Sequence, residues 1–246
     1  TGEHYYNRED YARAQSIFTD IADRFPQNDL ADDSLFWAGS SLLKQNLFLA
    51  AFTTCSRLAK DYPQSPLLMQ ARFIQGETLT ELGEFSRAIL AYDEIIKNIP
   101  DHPLADRARG RLADCLFTLG TNEPGRYQEA FDAYQALYKR PAVPFALKLQ
   151  ALYKAARCED KTGLADRALA RYMEVVSNVT GQTEPLPPEA ALWFSRAAFD
   201  AASMQEREQK WNEAVAVYHQ VIEAGVPVKD AAAERIEQIQ SRHTLQ

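Results

Sequence analysis

A four-residue pattern recurs six times along this chain. A ring or an alanine is followed by alanine three positions later, by a ring or cysteine at seven, and by an aliphatic residue at ten. Offsets of 0, 3, 7 and 10 place four side chains on one face of an α-helix. The six copies are Tyr11/Ala14/Phe18/Ile21, Phe48/Ala51/Cys55/Leu58, Phe85/Ala88/Tyr92/Ile95, Tyr127/Ala130/Tyr134/Leu137, Ala165/Ala168/Tyr172/Val175 and Trp211/Ala214/Tyr218/Val221.

The copies begin 37, 37, 42, 38 and 46 residues apart. A helical unit that recurs at this period predicts an all-α solenoid, in which each unit packs on its neighbours. Such an array counts as one body, so we predict a single domain over residues 1–246. The first eight residues read as the tail of a preceding helix, and we expect the chain to be a fragment of a longer protein.

Prolines mark the ends of the patterned helices. Phe25-Pro26, Tyr62-Pro63 and Ile99-Pro100 each follow one copy, and proline cannot continue a helix. Second helices are predicted between the patterned ones, at about 29–46, 66–83, 103–119, 144–163, 188–209 and 228–243. The last of these is polar and suits a terminal capping helix. A second proline follows three residues later at Pro66, Pro103 and Pro144, where it suits the first turn of the next helix. The alternative is a polyproline ligand for an adaptor domain.

Small residues lie inside four of the second helices, at Gly39, Gly76, Ala113 and Ala156. Glycine inside a helix costs about 1 kcal/mol relative to alanine. Close approach of a neighbouring helix would compensate for that cost. We expect the alanine of each pattern to face the small residue.

This alternation resembles the tetratricopeptide repeat. The clearest unit reads Gly76, Leu79, Gly83, Phe85, Ala88, Tyr92, Ile95, Pro100, and it departs from the family pattern at Ile95, where alanine is preferred. The resemblance implies a right-handed α-solenoid of about six helix pairs with a C-terminal capping helix at 228–243. The junction from Tyr62 to Pro66 resembles bacterial cell-envelope members, of the Tol-Pal-associated and outer-membrane-assembly type, which favours a periplasmic or envelope location.

Two segments lengthen the period. Thr121–Gly125 is a five-residue insertion, and 181–188 is a longer loop. Insertions of this kind emerge on one rim of a solenoid, where they serve either as binding elements or as tolerated surface loops.

Composition and motifs exclude several functions. A net charge of -7 argues against a nucleic-acid partner, which requires clustered Lys and Arg. No apolar run reaches the length of a membrane span. The four histidines lack metal-ligand spacing, and no phosphate loop, zinc or nucleophile motif occurs. We therefore predict no catalytic, metal or cofactor site. The chain has an odd number of cysteines, Cys55, Cys115 and Cys158. We predict that they are buried thiols rather than a disulfide framework.

The resemblance also implies a groove. In this family the first helix of each pair lines it, at positions three before, one after and four to five after the small residue. The corresponding groove residues include Phe36, Ser40, Phe73, Glu77, Gly110, Asp114, Tyr153 and Arg157. Phe36, Phe73 and Tyr153 would form a row of rings interrupted at Gly110. The alternative is that these rings pack on neighbouring helices.

The sequence thus predicts a non-catalytic scaffold that binds a partner peptide or helix in its groove, within a bacterial envelope complex. Some members of the family bind the terminal carboxylate of a peptide with Lys and Asn side chains in the groove. Here Phe36/Ser40 and Phe73/Glu77 stand at the first two such pairs of positions. A partner segment with charges of both signs and an apolar stripe therefore fits this groove better than an acidic terminus does. A sensor that couples peptide binding to a missing output domain is one alternative. An enzyme on a helical array is another. Homo-oligomerisation stays open.

Overall fold

A computed structural model describes residues 1–181 and 184–243 of the chain. Within these residues there are thirteen α-helices and no β-strand. The fold is therefore all-α, an α-solenoid of helix pairs, as predicted. The helices are α1 (Gly2–Asn7), α2 (Tyr11–Arg24), α3 (Ala31–Lys44), α4 (Phe48–Asp61), α5 (Leu68–Glu81), α6 (Phe85–Asn98), α7 (Pro103–Leu119), α8 (Gly125–Tyr138), α9 (Phe145–Lys161), α10 (Ala165–Ser177), α11 (Pro188–Arg207), α12 (Trp211–Glu223) and α13 (Lys229–Arg242).

The odd-numbered helices are called A helices below and the even-numbered ones B helices. Every predicted second helix is present as an A helix, and its ends lie within two residues of the predicted ones. The short helix α1 occupies the predicted helix tail at residues 1–8, and α13 occupies the predicted capping position. The B helices α2, α4 and α6 end directly before the Phe-Pro, Tyr-Pro and Ile-Pro junctions, as the prolines predict.

The repeated pattern is the buried face of the B helices. All six pattern alanines are fully buried, and so are the six residues at the ring or cysteine position, each less than 9% exposed. Their spacing puts them on one side of each helix, and within each unit this side packs against the neighbouring A helices. Tyr92 and Tyr172 are among the largest fully buried side chains of the chain.

The helix glycines face the ring position rather than the pattern alanine. A Cβ added at Gly76 would lie 2.5 Å from Cε1 of Tyr92, and one added at Gly39 would lie 2.6 Å from Sγ of Cys55. The nearest atom of Ala51 to the latter is its carbonyl oxygen, at 3.8 Å. The expectation that the alanine faces the glycine was therefore wrong. The partner is the side chain sixteen residues after the glycine, which is the thiol of Cys55 for Gly39 and the ring of Tyr92 for Gly76.

The chain divides into two compact units, Thr1–Leu119 and Gly120–Gln246, called unit 1 and unit 2. The cluster around Phe73, Tyr92 and Leu104 belongs to unit 1, and the cluster around Leu152, Tyr172 and Phe194 belongs to unit 2. The single domain predicted over residues 1–246 stays a prediction.

Both predicted insertions connect helices. Residues 120–124 lie between α7 and α8, and Gly125 opens α8. The longer loop lies between α10 and α11, and its residues Gln182 and Thr183 fall outside the described residues.

Candidate partner-binding site

Neighbouring A helices contact each other within each unit. In unit 1, α3 packs on α5 and α5 on α7, and in unit 2, α9 packs on α11. The eight predicted groove residues lie on α3, α5, α7 and α9. The surface that these helices present is called the A face of each unit, and its residues belong to separate groups.

The first group joins α1 to α3. The hydroxyl of Tyr6 lies 2.8 Å from Oγ of Ser40, and the ring of Tyr6 meets Trp37 edge-on at 5.0 Å. Phe36 also contacts Trp37, with ring centroids 5.4 Å apart. Both predicted residues are half-buried. Phe36 therefore keeps part of its ring at the surface, whereas the hydroxyl of Ser40 is engaged within the unit.

Phe73 on α5 is a core side chain. Its ring is 8% exposed and lies 5.6 Å from the ring of Tyr92. The guanidinium of Arg107, an exposed residue of α7, lies 4.7 Å from the centre of the Phe73 ring. Phe73 is therefore a packed side chain rather than an open anchor for a partner.

Glu77 links helices α5, α6 and α7. It accepts hydrogen bonds from the hydroxyl of Tyr92 at 2.7 Å and from Nε of Arg111 at 2.6 Å. Burial, together with the charge of Glu77, raises the pKa of Tyr92. Burial alone would lower the pKa of Arg111, but the charges of Glu77 and its neighbours outweigh it and raise that pKa. Asp114 lies 3.7 Å from Arg111, and Gly110 is buried in the same helix.

Tyr153 connects α9 to α11 in unit 2. Its ring is 5% exposed, and its hydroxyl donates to Oδ2 of Asp200 at 3.0 Å. Arg157 donates from Nη1 to the same hydroxyl oxygen at 3.2 Å. Burial is the main cause that raises the pKa of Tyr153. Tyr153 thus packs against Tyr172 and Trp193, at 5.7 and 5.6 Å between ring centroids.

Helix α11 adds site residues that the sequence analysis missed. Trp193 is half-buried, with Nζ of Lys154 at 5.4 Å and the guanidinium carbon of Arg196 at 5.0 Å from its ring centre. These distances are those of cation–π contacts. The sequence carries a signal for part of this helix but not for Trp193: Ala202 stands sixteen residues before Tyr218, as Gly76 stands before Tyr92.

The same sixteen-residue spacing assigns a groove register to α11. Counting from Ala202 selects Phe199, Ser203, Glu206 and Arg207. Phe199 meets Tyr218 at 5.3 Å, just as Phe73 meets Tyr92 and Tyr153 meets Tyr172. The ring three residues before the small residue therefore packs on the B-helix ring in three pairs, which is the alternative that the sequence left open.

The described residues contain no group of three or more His, Cys, Asp or Glu side chains arranged to hold a metal ion. The three cysteines are buried free thiols, as predicted. Burial raises the pKa of Cys55 to about 12, so this thiol stays protonated at neutral pH. No helix in the described part of the chain is both long enough and apolar enough to cross a membrane.

Comparison of the sequence with protein families gives one family over most of the chain. Tetratricopeptide repeat profiles match residues 1–66 and 81–146, and a second profile of the same description matches residues 150–179. The chain belongs to the tetratricopeptide repeat family. Repeats of this family typically form non-catalytic scaffolds for protein–protein interaction. No curated protein matches the sequence.

Solved tetratricopeptide structures share the fold at low sequence identity. The C-terminal part of a TPR repeat-containing protein from Cytophaga hutchinsonii is 15% identical with a TM-score of 0.67, covering 98% of this chain and 86% of that one. The MamA protein is 16% identical with a TM-score of 0.61, covering 76% of this chain and 94% of that one. These likenesses concern the fold alone.

Among the predicted groove residues of this tetratricopeptide array, two kinds emerge. Phe73, Tyr153 and Gly110 are buried and shape the helix contacts. Phe36, Glu77, Asp114 and Arg157 keep part of their side chains at the surface, where they offer a ring and both signs of charge. Whether these residues contact a partner stays a prediction.

Proposed function

We propose that this chain is a non-catalytic protein–protein interaction module whose A faces bind a peptide or helix of a partner protein. The family supports the general role, since its repeats mediate protein–protein interaction.

Trp193 carries the proposal. It is a large ring, half-buried on the A face of unit 2, with its position fixed by Tyr153 on one side and by two cations. Partly exposed tryptophan with restrained neighbours is the type of residue that dominates binding energy in interfaces. The adjacent Leu192 is 45% exposed.

The charges around Trp193 indicate the partner's composition. Arg196 is exposed and Arg157 half-exposed, while Asp200 lies within the same cluster and bonds Tyr153. A segment with an apolar side chain for Trp193 and flanking residues of both signs fits this surface. In unit 1, Phe36 and the Glu77–Arg111 pair offer the same combination of ring and mixed charge.

Peptide selection against the intact chain tests the proposal. Peptides from a random displayed library would be selected on the wild-type protein, and their affinity measured by fluorescence anisotropy. We expect Trp193→Ala to weaken binding roughly thirtyfold or more, since truncating an aromatic hot spot costs about 2 kcal/mol or more.

Leu90→Ala is the matched control, because Leu90 is 69% exposed on the B helix α6. Its affinities should equal those of the wild type. Equal losses in the two variants, or selected peptides that ignore Trp193 altogether, would show that the A face of unit 2 is not the binding surface. Thermal melts of both variants separate lost binding from lost folding.

A bacterial cell-envelope complex is the setting that we propose, on the resemblance of the junction from Tyr62 to Pro66. In the structure, this junction is held by the Tyr62 hydroxyl, which donates to the carbonyl oxygen of Pro26 at 2.7 Å. The full-length gene product tests the setting: a secretion signal or lipid-attachment motif supports it, and fusion to a nuclear or cytosolic domain contradicts it.

A further inference from the structure

A cationic cleft lies at the C-terminal end of unit 2. It has a volume of about 280 Å³ and is bounded by the last turns of α11 and α13 and by the start of α12. Three arginines and one carboxylate line it: Arg207, Arg235, Arg242 and Glu206. The lining therefore has a net charge of +2 with His243 neutral, in a chain whose net charge is -7.

Arg235 is the arginine that the unit already uses. It donates from Nε to Oε1 of Glu206 at 3.0 Å and from Nη1 to Oε1 of Gln238 at 2.9 Å, and its Nη2 also bonds Glu206. Tyr218 donates its hydroxyl to Glu206 at 2.9 Å. Glu206 is thus fully engaged by one arginine and one tyrosine.

The other two arginines keep donors available. Among the described residues, Arg207 bonds only the carbonyl oxygen of Ser203 in its own helix, at 3.3 Å from Nε. Arg242 has no ion pair or hydrogen bond within residues 1–181 and 184–243. A cation in the last turn of a helix is favoured by the helix dipole, which accounts for each arginine separately. It does not account for their position around one cleft.

Unit 1 contains a related arrangement that lacks the surplus of positive charge. There Arg111 bonds Glu77, the residue three positions later is Asp114, and the residue seven positions later is Thr118. The residues at these spacings from Arg235 are Gln238 and Arg242. In both arrangements an arginine bonds a glutamate of the preceding A helix, but the two glutamates do not occupy equivalent positions of the repeat. In unit 2 an amide replaces the balancing carboxylate, and a further cation is added.

We propose that this cleft binds an oxyanion of a partner polypeptide, and that Arg207 and Arg242 are its ligands. The oxyanion is either a carboxylate or a phosphate. Guanidinium groups form charge-assisted and bidentate hydrogen bonds with both kinds of group. Trp211 and His243 stack at 3.8 Å between ring centroids and form an aromatic wall of the cleft. The inference rests on the proposed function only in assigning the oxyanion to a polypeptide.

The test uses the intact chain and three labelled peptides of one scaffold, carrying four glutamates, two phosphoserines or four glutamines. Anisotropy titrations at low ionic strength compare the wild type with Arg207→Gln/Arg242→Gln. The control is Arg8→Gln/Lys139→Gln, which removes the same charge from exposed positions outside the cleft. Inorganic phosphate is added as a competitor.

We expect at least one anionic peptide to bind the wild type, with about tenfold weaker binding to the cleft variant, less than a twofold change in the control, and no binding of the glutamine peptide. Gln238→Glu should also weaken binding, because it restores a balancing carboxylate. A preference for the glutamate or the phosphoserine peptide identifies the oxyanion.

No binding of either anionic peptide overturns the inference, and so do equal losses in both arginine variants. Binding of selected peptides that depends on Trp193 is measured separately. If it persists while the anionic peptides fail, the proposed function stands and the oxyanion site does not. If it fails while the arginine-dependent binding persists, the A-face proposal is the one that is lost.

Discussion

Gly76 sets aside the space that the ring of Tyr92 occupies. The hydroxyl of that ring then reaches Glu77, the residue beside the glycine, at 2.7 Å. One glycine thus allows a tyrosine to be buried with its polar atom satisfied on the same helix. Glycine is required at position 76 because of its contact with Tyr92 and not because of backbone flexibility, since Gly76 lies within α5.

Gly76→Ala is expected to destabilise the fold. Alanine would gain about 1 kcal/mol of helix propensity. Its Cβ would lie 2.5–2.9 Å from three atoms of the buried Tyr92 ring, and overpacking of a core costs about 1–3 kcal/mol. We expect a net loss, measured as a lower midpoint of urea unfolding with an unchanged slope.

Gly125→Ala provides the matched comparison. A Cβ at Gly125, at the start of α8, meets no atom within 4 Å. This variant should unfold at the wild-type midpoint or slightly above it. If both glycine variants shift alike, the Tyr92 contact does not determine the cost.

At the scale of the helices, polar groups connect one A helix to the next. Glu77 to Arg111, Tyr153 to Asp200 and Arg235 to Glu206 each join an A helix to its successor. Separating the two members of a partly buried ion pair is unfavourable, because each charge would be left without its partner and with incomplete solvation. These bonds therefore favour one packing of the helices over others.

The Glu206 pair makes the docking of α13 sensitive to acid. Burial alone would raise the pKa of Glu206, but the hydrogen bonds from Arg235 and Tyr218 outweigh it, so the folded-state pKa lies below the ordinary value of 4.5. A lowered folded pKa gives stability that is present above 4.5 and is lost as the pH falls through the folded value.

We expect the stability difference between the wild type and Glu206→Gln to shrink as the pH falls below 4.5. Urea midpoints at several pH values from neutral downward measure it. A difference that is independent of pH would contradict the lowered pKa. Glu208→Gln, an exposed residue next to the end of α11, controls for the general effect of removing a carboxylate.

The sequence predicts the positions of the helices well, but it predicts few of the side chains that lie at the surface. The repeated alanines and rings, together with the prolines, predict the ends of the A helices α3 to α13 within two residues. On helix α11, counting back sixteen residues from Tyr218 predicts Glu206 and Arg207 as groove residues, whereas Trp193 lies nine residues before Ala202 and outside every position of that register. The burial of Phe73 and Tyr153 depends on rings of other helices, which spacing along one helix does not reveal.

At the scale of the whole chain, each unit has its own buried clusters. Tyr92 and Leu104 are packed within unit 1, and Tyr172 and Phe194 within unit 2. Repeat proteins are stabilised by contacts between neighbouring helix pairs, so a few adjacent pairs suffice for folding.

We therefore expect polypeptides of residues 1–119 and 120–246 to fold separately. Each should show the circular dichroism of an α-helical protein and a cooperative thermal transition. A non-helical spectrum from either piece would show that its core needs the other unit.

The hydrogen bond from Tyr62 to the carbonyl oxygen of Pro26 spans 36 residues, nearly one period of the repeat. It connects two loops that each follow a B helix and carry the same aromatic-proline pair. Excision of 37 consecutive residues beginning after Pro26 would join that proline to the segment after Pro63, and so would splice equivalent loops. Genes for such arrays can therefore shorten or lengthen by entire periods, whereas the loss of one or two residues within a helix would turn its buried side chains toward water.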